Sequence, residues 1–450
     1  MPYLKELTPI YLSVLSMRLS FGLVVFALPL YIGEKYLSVG IIAAAYPVAE
    51  LLLVFPFGVL SDRYGRKVFL LIGLLLSAID LPLFSLTRNT ILLTLIHGIQ
   101  GIAAASVMAS SLAAVSDVAK ESRRGREMGI YDLVNMAGYI IGFPLSGLVI
   151  DATKDMRSPF FVASLIAALG LIITAFLLPR DIGRSTMDLK TRLKIAFKGI
   201  TGGREAVLLT VMWFTIMMFI SFFLTFGPLI IRGMGGHHSF FRIGSYLSAL
   251  IAILAITQPL YGYISDLIGR TKALLTGSIS IFLLLITIYA WHAGFVKYHI
   301  AIPLIAILGL GSLMFSPAGL AFLADISKEG ARGSFMGFYS FIMNLGNVLG
   351  PIMGGAFMSA FGPRDGISAM ILLGAILTGS SVLIFMIKRK KRGVQAVIVW
   401  LIAFLEISRT YLPLSVSLYT FLLSCHTPST SPSFIKLYIM AYIVVDPIFA

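Results

Sequence analysis

Two stretches decide the fold: residues 58–67, GVLSDRYGRK, and residues 262–271, GYISDLIGRT. Both keep Gly, Ser, Asp, Gly and Arg at the same spacing, and the copies lie 204 positions apart (262 minus 58). Each is a short polar loop between two long apolar runs. A second pair of loops, SDVAKESRRGREMGIY at 116–131 and ADISKEGARGSFMGFY at 324–339, repeats at an offset of 208, so that Asp117 corresponds to Asp325, Arg124 to Arg332 and Gly129 to Gly337. The chain therefore reads as two copies of one unit in the same order.

Composition fixes the environment. Of 450 residues 58% are apolar and 12% charged, with mean hydropathy +0.95, whereas a soluble chain carries about 25% charged residues. Runs long enough to cross a bilayer, about 20 residues each, fall at 9–32, 38–60, 67–87, 90–116, 127–150 and 159–178, and again at 206–231, 243–264, 272–291, 299–324, 334–361 and 367–387. The fold class is an all-α integral membrane protein of twelve transmembrane helices in two pseudo-symmetric six-helix bundles. The expected divisions are an N-terminal bundle over 1–178, a basic linker over 179–205, a C-terminal bundle over 206–392 and an atypical apolar tail over 393–450. That tail contains no glycine after position 393, against 42 in the chain, and reads as an appendage, with room for an extra membrane helix.

The net charge of +15 is a matter of topology. With the N-terminus placed in the cytosol, 24 of the 35 lysines and arginines fall on cytosolic segments and 8 on the outer side, a strong positive-inside bias. The cations face anionic inner-leaflet lipid, which argues against a nucleic-acid partner. The first residues, MPYLKELTPIYL, lack the charged start and cleavage site of a removable signal, so the expected location is the cell membrane with a cytosolic N-terminus. The one cysteine, Cys425, excludes an internal disulfide.

Gly58, Asp62, Arg63, Gly65, Arg66 and Lys67 resemble, residue by residue, the loop signature of the major facilitator superfamily, and the resemblance extends over residues 1 to about 392. It implies alternating access, with a conformational latch in which Asp62 faces the start of the eleventh span and Arg66 pairs with Asp117. The mirrored latch would be Asp266, Arg270 and Asp325. It departs from the pattern at Leu267 and Thr271, so a weaker latch is expected. Gly337, Gly346, Gly350, Pro351, Gly354 and Gly355 in the eleventh run are similar to the glycine and proline motif of the family's drug:proton antiporter branch. The fifth run carries a partial copy in Gly129, Gly138, Gly142, Pro144 and Gly147. Close packing and bending of helices is the expected role of both. In the fourth run His97 stands where the family commonly has arginine, ahead of Gln100 and Gly101, and replaces a fixed cation by a titratable ring.

Ionisable side chains inside a membrane are expensive, and each is a functional candidate. Arg18 and Glu50 lie at similar depth, so a pair is expected, either a switch in which protonation of Glu50 releases Arg18 toward substrate or a permanent structural ion pair. Asp80 is a second candidate carboxylate, and with His97 and Gln100 completes the expected proton or substrate pathway. Aromatic residues along the seventh run, Trp213 to Phe226, suit an apolar substrate wall or core packing. The sequence holds no constellation of an enzyme, no metal cluster and no cofactor motif. The function expected is proton-coupled export of a small apolar or cationic compound, by a monomer whose partners are substrate, protons and lipid. An uptake symporter for a sugar or organic acid, and a non-transporting sensor of the same fold, are the alternatives.

Overall fold

The computed structural model describes residues 2–118, 124–179, 204–233, 239–326 and 332–388. Nearly all of them are helical, as hydrocarbon requires: a spanning backbone must satisfy its own N–H and C=O groups. In chain order the helices are α1 (Pro2–Ile32), α2 (Tyr36–Tyr64), α3 (Arg66–Asp80), α4 (Thr90–Val118), α5 (Arg124–Thr153), α6 (Ser158–Leu177), α7 (Arg204–Gly233), α8 (Phe240–Ile268), α9 (Arg270–His292), α10 (Tyr298–Ser312), α11 (Phe315–Ile326) and α12 (Arg332–Lys388).

Eleven stretches among the described residues are long and apolar enough to cross a membrane. The last, Phe341–Leu383, makes two crossings. Its backbone leaves the helical region at Gly362 (φ 81°, ψ 165°), and a side chain at Gly366 would run into the backbone of Phe357 and Met358, so the chain has doubled back and α12 is two antiparallel arms. Two expected runs differ from regular helices. The third ends in a 3-10 segment, Leu81–Leu86, with proline in its first turn. The tenth breaks between α10 and α11, just after Gly309 and Gly311 and before Pro317, where glycine and proline both weaken the helix. Most of the expected linker, 180–203, and all of the tail, 393–450, lie outside the described residues.

The apolar cores show how the two sets of helices meet. One cluster (Leu7, Ile10, Val14, Leu74, Val107, Val115) belongs to the first bundle alone, and one (Leu209, Trp213, Leu274, Phe315, Ala318) to the second alone. Both lie toward the end that carries the 58–67 loop. The two clusters that mix residues of both bundles, Leu28 and Phe143 with Ile243 and Leu247, and Val39 with Phe222 and Phe226, lie toward the opposite end. Among the described residues the cores shared by both bundles thus lie at one end, while the cores at the other end each belong to a single bundle.

The joint consists of two clasps in which backbone meets backbone. A side chain on Gly244 would strike the backbone of Phe143 and Pro144, and one on Gly147 the backbone of Phe240 and Phe241. In the second clasp Gly40 lies on Pro351 and Ile352, and Gly355 on Tyr36 and Leu37. Only glycine allows helices this close.

Candidate functional site: a central cavity between the bundles

A cavity of 360 Å³ lies between the two bundles. The first supplies Arg18, Phe21, Tyr46, Glu50, His97 and Tyr139 to its wall, and the second supplies Ser221, Leu224, Thr225, Met343, Asn344 and Asn347. Charge comes from one side only, in Arg18 and Glu50, while the other side offers hydroxyl and carboxamide groups. The volume is that of a small-molecule site, which is usually apolar with a few convergent polar groups.

Arg18 projects from the middle of α1. Its Nε donates to Asn135 Oδ1 at 2.9 Å and its Nη1 to Tyr46 Oη at 3.2 Å, while the Glu50 carboxylate is 3.9 Å away. The expected pair is therefore present but loose, and neutral acceptors on α2 and α5 also hold the guanidinium. Asn135 is itself tied down, its Nδ2 donating to the Tyr131 carbonyl at 2.9 Å. Tyr46 stacks on Phe21 with ring centroids 4.0 Å apart, and Tyr139 meets Phe21 edge-on at 5.7 Å.

His97 reaches the cavity wall from α4. Its Nδ1 is 2.7 Å from the Ile42 carbonyl oxygen, which can only accept, so Nδ1 carries a proton and donates. Phe84 and Tyr46 pack on the ring at 5.8 Å and 5.6 Å. Gln100, one turn on, is fully buried off the cavity, and neither of its amide atoms has a partner among the described residues. Asp80, also buried, does not reach the cavity wall. Of the five expected pathway residues, three line the cavity and two are held inside the first bundle. The aromatic residues of α7 are also placed otherwise than as a substrate wall: Phe219, Phe222 and Phe226 pack on both arms of α12, leaving Ser221, Leu224 and Thr225 to face the cavity.

The loop cluster is at the far end of α2. Arg66 is 5% exposed and bonds to the Asp62 carboxylate, to Asp117 Oδ2 at 3.2 Å and to Ser61 Oγ at 2.8 Å. Gly65 sits between the helices at φ 101°, and its counterpart Gly269 at φ 91°, a conformation that L residues resist. Lys67 donates to the carbonyls of Ala175 and Leu178, closing the C-terminus of α6, a role the motif did not announce. Arg63 lies over the Tyr64 ring at 5.4 Å. A side chain on Gly58 would meet only Ala109, at an ordinary 3.9 Å. In the second copy Arg270 and Asp266 are 3.6 Å apart and the carboxylate is mostly exposed, so solvent screens the pair. The side chains of Asp325 and of the first turns of α12, where the resemblance puts the partners of both latches, lie outside the described residues.

The motif glycines act in packing. Gly138 and Gly142 lie on α1 against Arg18 and Gly22, while Gly346 and Gly350 lie on α7 against Phe214 and Met218 and Gly354 against Phe222. Pro144 and Pro351 form part of the clasps, and in α12 the backbone is non-helical at Gly362, not at Pro351.

Two matched bundles around a central cavity agree with the comparisons. The family model described as Major Facilitator Superfamily matches residues 10–311 and 236–442. The chain belongs to the Major Facilitator Superfamily. As a member it is a multi-pass membrane transporter and not an enzyme. Among relatives of this superfamily member, it is 23% identical over 399 residues to the Quinolone resistance protein NorA of Staphylococcus aureus strain MRSA252, covering 86% of this chain and 98% of that one. It is 25% identical over 356 residues to Multidrug resistance protein 2 of Bacillus subtilis strain 168, covering 75% and 84%. Among solved structures, a bacterial homolog of the human lysosomal transporter Spinster in an inward-facing, unoccupied conformation superposes with TM-score 0.69 at 15% identity, covering 84% of this chain and 96% of that one. The nucleoside transporter NupG gives 0.67 at 14%, covering 86% and 99%. These structures share the fold.

Proposed function

We propose that this protein exports a small apolar or cationic compound from the cell in exchange for protons, working by alternating access as a monomer in the cell membrane with its N-terminus in the cytosol. The observation that carries the reading is the charge arrangement of the cavity, where a guanidinium fixed by neutral neighbours stands 3.9 Å from a loosely held carboxylate. With Glu50 ionised the pair is neutral and its carboxylate and the surrounding rings suit a cation. With Glu50 protonated, Arg18 keeps its place on Asn135 and Tyr46, the cavity gains one positive charge, and a cation is repelled. Proton and substrate then compete for one site, which is the requirement of an exchanger. The positive-inside count puts the separated ends of the bundles in the cytosol, so the state described is inward-open. The names of the relatives in Staphylococcus aureus and Bacillus subtilis support drugs as substrates. Burial of Arg66 between Asp62 and Asp117 supports the latch reading of the loop.

The test is transport in liposomes holding a pH-sensitive dye. A lipophilic cation added to the native protein under an imposed gradient moves protons in the opposite direction, and Glu50→Gln, which fixes the charge of the protonated state, abolishes that movement and weakens binding of the cation. Proton flow in the same direction as an organic acid or sugar would instead establish uptake, a reading that Arg18 and the polar second wall of Asn344, Asn347 and Ser221 favour. Binding with no translocation would leave a sensor.

A further inference from the structure

Each clasp at the joined end carries a capping acceptor. Asp151, near the end of α5, accepts from the backbone N–H of Phe240 through Oδ1 at 3.1 Å and from that of Phe241 through Oδ2 at 2.9 Å. Ser359, at the end of the first arm of α12, accepts from the backbone N–H of Leu37 at 2.9 Å. Asp151 and Ser359 are 208 positions apart (359 minus 151), and Leu37 and Phe241 are 204 apart (241 minus 37). These are the two offsets of the duplicated loops, so the caps are copies of each other. Their chemistry differs. One is a carboxylate on two N–H groups at a helix N-terminus, where the orphan donors and the dipole favour negative charge. The other is a neutral hydroxyl on one. Charge-assisted bonds are roughly twice as strong as neutral ones, so the α5–α8 clasp is the stronger of the two. Arg232, 5.4 Å from the Phe240 ring centroid, adds positive charge to the same corner.

We infer that Asp151 is a positioning residue of the transport cycle: its two bonds between the bundles hold the joined end shut, and they break when that end opens. The same-offset serine makes the opposite clasp the weaker one, and the closed end parts from the α2–α12 side first. The inference rests on the alternating-access reading, but it is measured as a distance and needs no substrate.

Spin labels at Leu86 and Tyr298, both exposed at the joined end and in different bundles, are introduced with Cys425→Ser, and their separation is measured in lipid nanodiscs. Asp151→Ala is expected to raise the ratio of long to short separations about tenfold, the loss of a hydrogen bond to a charged group, and Ser359→Asp to lower it. Asp151→Ser, which copies the other clasp, falls between. A bulky wedge, Gly244→Trp, is the control. If the wedge lengthens the separation and neither Asp151→Ala nor Ser359→Asp changes the ratio, Asp151 is no lock. If the wedge also leaves one fixed separation, the alternating-access reading fails and takes this inference with it. Should Asp151→Ala not fold, Ser359→Asp decides alone.

Discussion

At the scale of single residues, equal motifs have unequal surroundings, and the surroundings set the energetic consequence. Arg66 is buried against two carboxylates, whereas Arg270 faces an aspartate that is largely in solvent. Arg66→Ala takes the cation from the buried Asp62 and is expected to cost about 3–5 kcal/mol. Arg270→Ala is expected to cost less, because the Asp266 carboxylate beside it is mostly in solvent, and thermal unfolding of the two variants in one detergent compares them directly. An inequality was expected from the sequence, because Leu267 and Thr271 break the second copy, while the side chain of Asp325, the other expected partner of Arg270, lies outside the described residues. The anchoring of Arg18 was not legible there. A single sequence shows that Asn135 and Tyr46 are polar residues in apolar runs, but the rotations of α2 and α5 that bring both onto one guanidinium depend on packing across three helices. The same reason hid Ser221 and Thr225 behind the more conspicuous aromatic residues of α7.

At the scale of helices, small residues determine which backbones touch. A Cβ at Gly142 would stand 3.0 Å from Gly22 Cα and 3.1 Å from the Leu19 carbonyl oxygen. Gly142→Leu is therefore expected to destabilise the first bundle by about 1–3 kcal/mol through overpacking. Gly98, on α4, has nothing within 4 Å of the same position, and Gly98→Ala is expected to hold or raise the unfolding temperature, since alanine favours the helix. Sequence alone placed the helices closely and identified the motif glycines, because both depend on local composition. The one departure from helical backbone in α12 is at Gly362 rather than at Pro351, since proline within a membrane helix is accommodated by its neighbours. The break between α10 and α11 was missed for the converse reason: apolarity continues across it, and hydropathy cannot register a turn that stays in hydrocarbon.

At the scale of the molecule, joined and separated ends make an accessibility prediction. Thr225 lines the cavity, and with Cys425 replaced by serine a cysteine at 225 would be the one thiol in the chain. A charged, membrane-impermeant thiol reagent is expected to label Thr225→Cys several-fold faster from the side of the 58–67 loop than from the opposite side; equal rates would contradict a mouth on one side only. The internal repeat made the two-bundle plan readable from the duplicated loops, while the end at which the bundles touch emerged only from the cores that mix Leu28 with Ile243 and Val39 with Phe222. That geometry also couples the protein to the mechanics of its solvent. A body closed at one leaflet and splayed at the other occupies more area in the second, and lipids with small headgroups, which relieve crowding at that leaflet's surface, do less work against it than lipids with large ones. Replacing phosphatidylcholine by phosphatidylethanolamine should hold the mouth open longer, making bilayer elasticity a regulator of turnover that acts without a binding site.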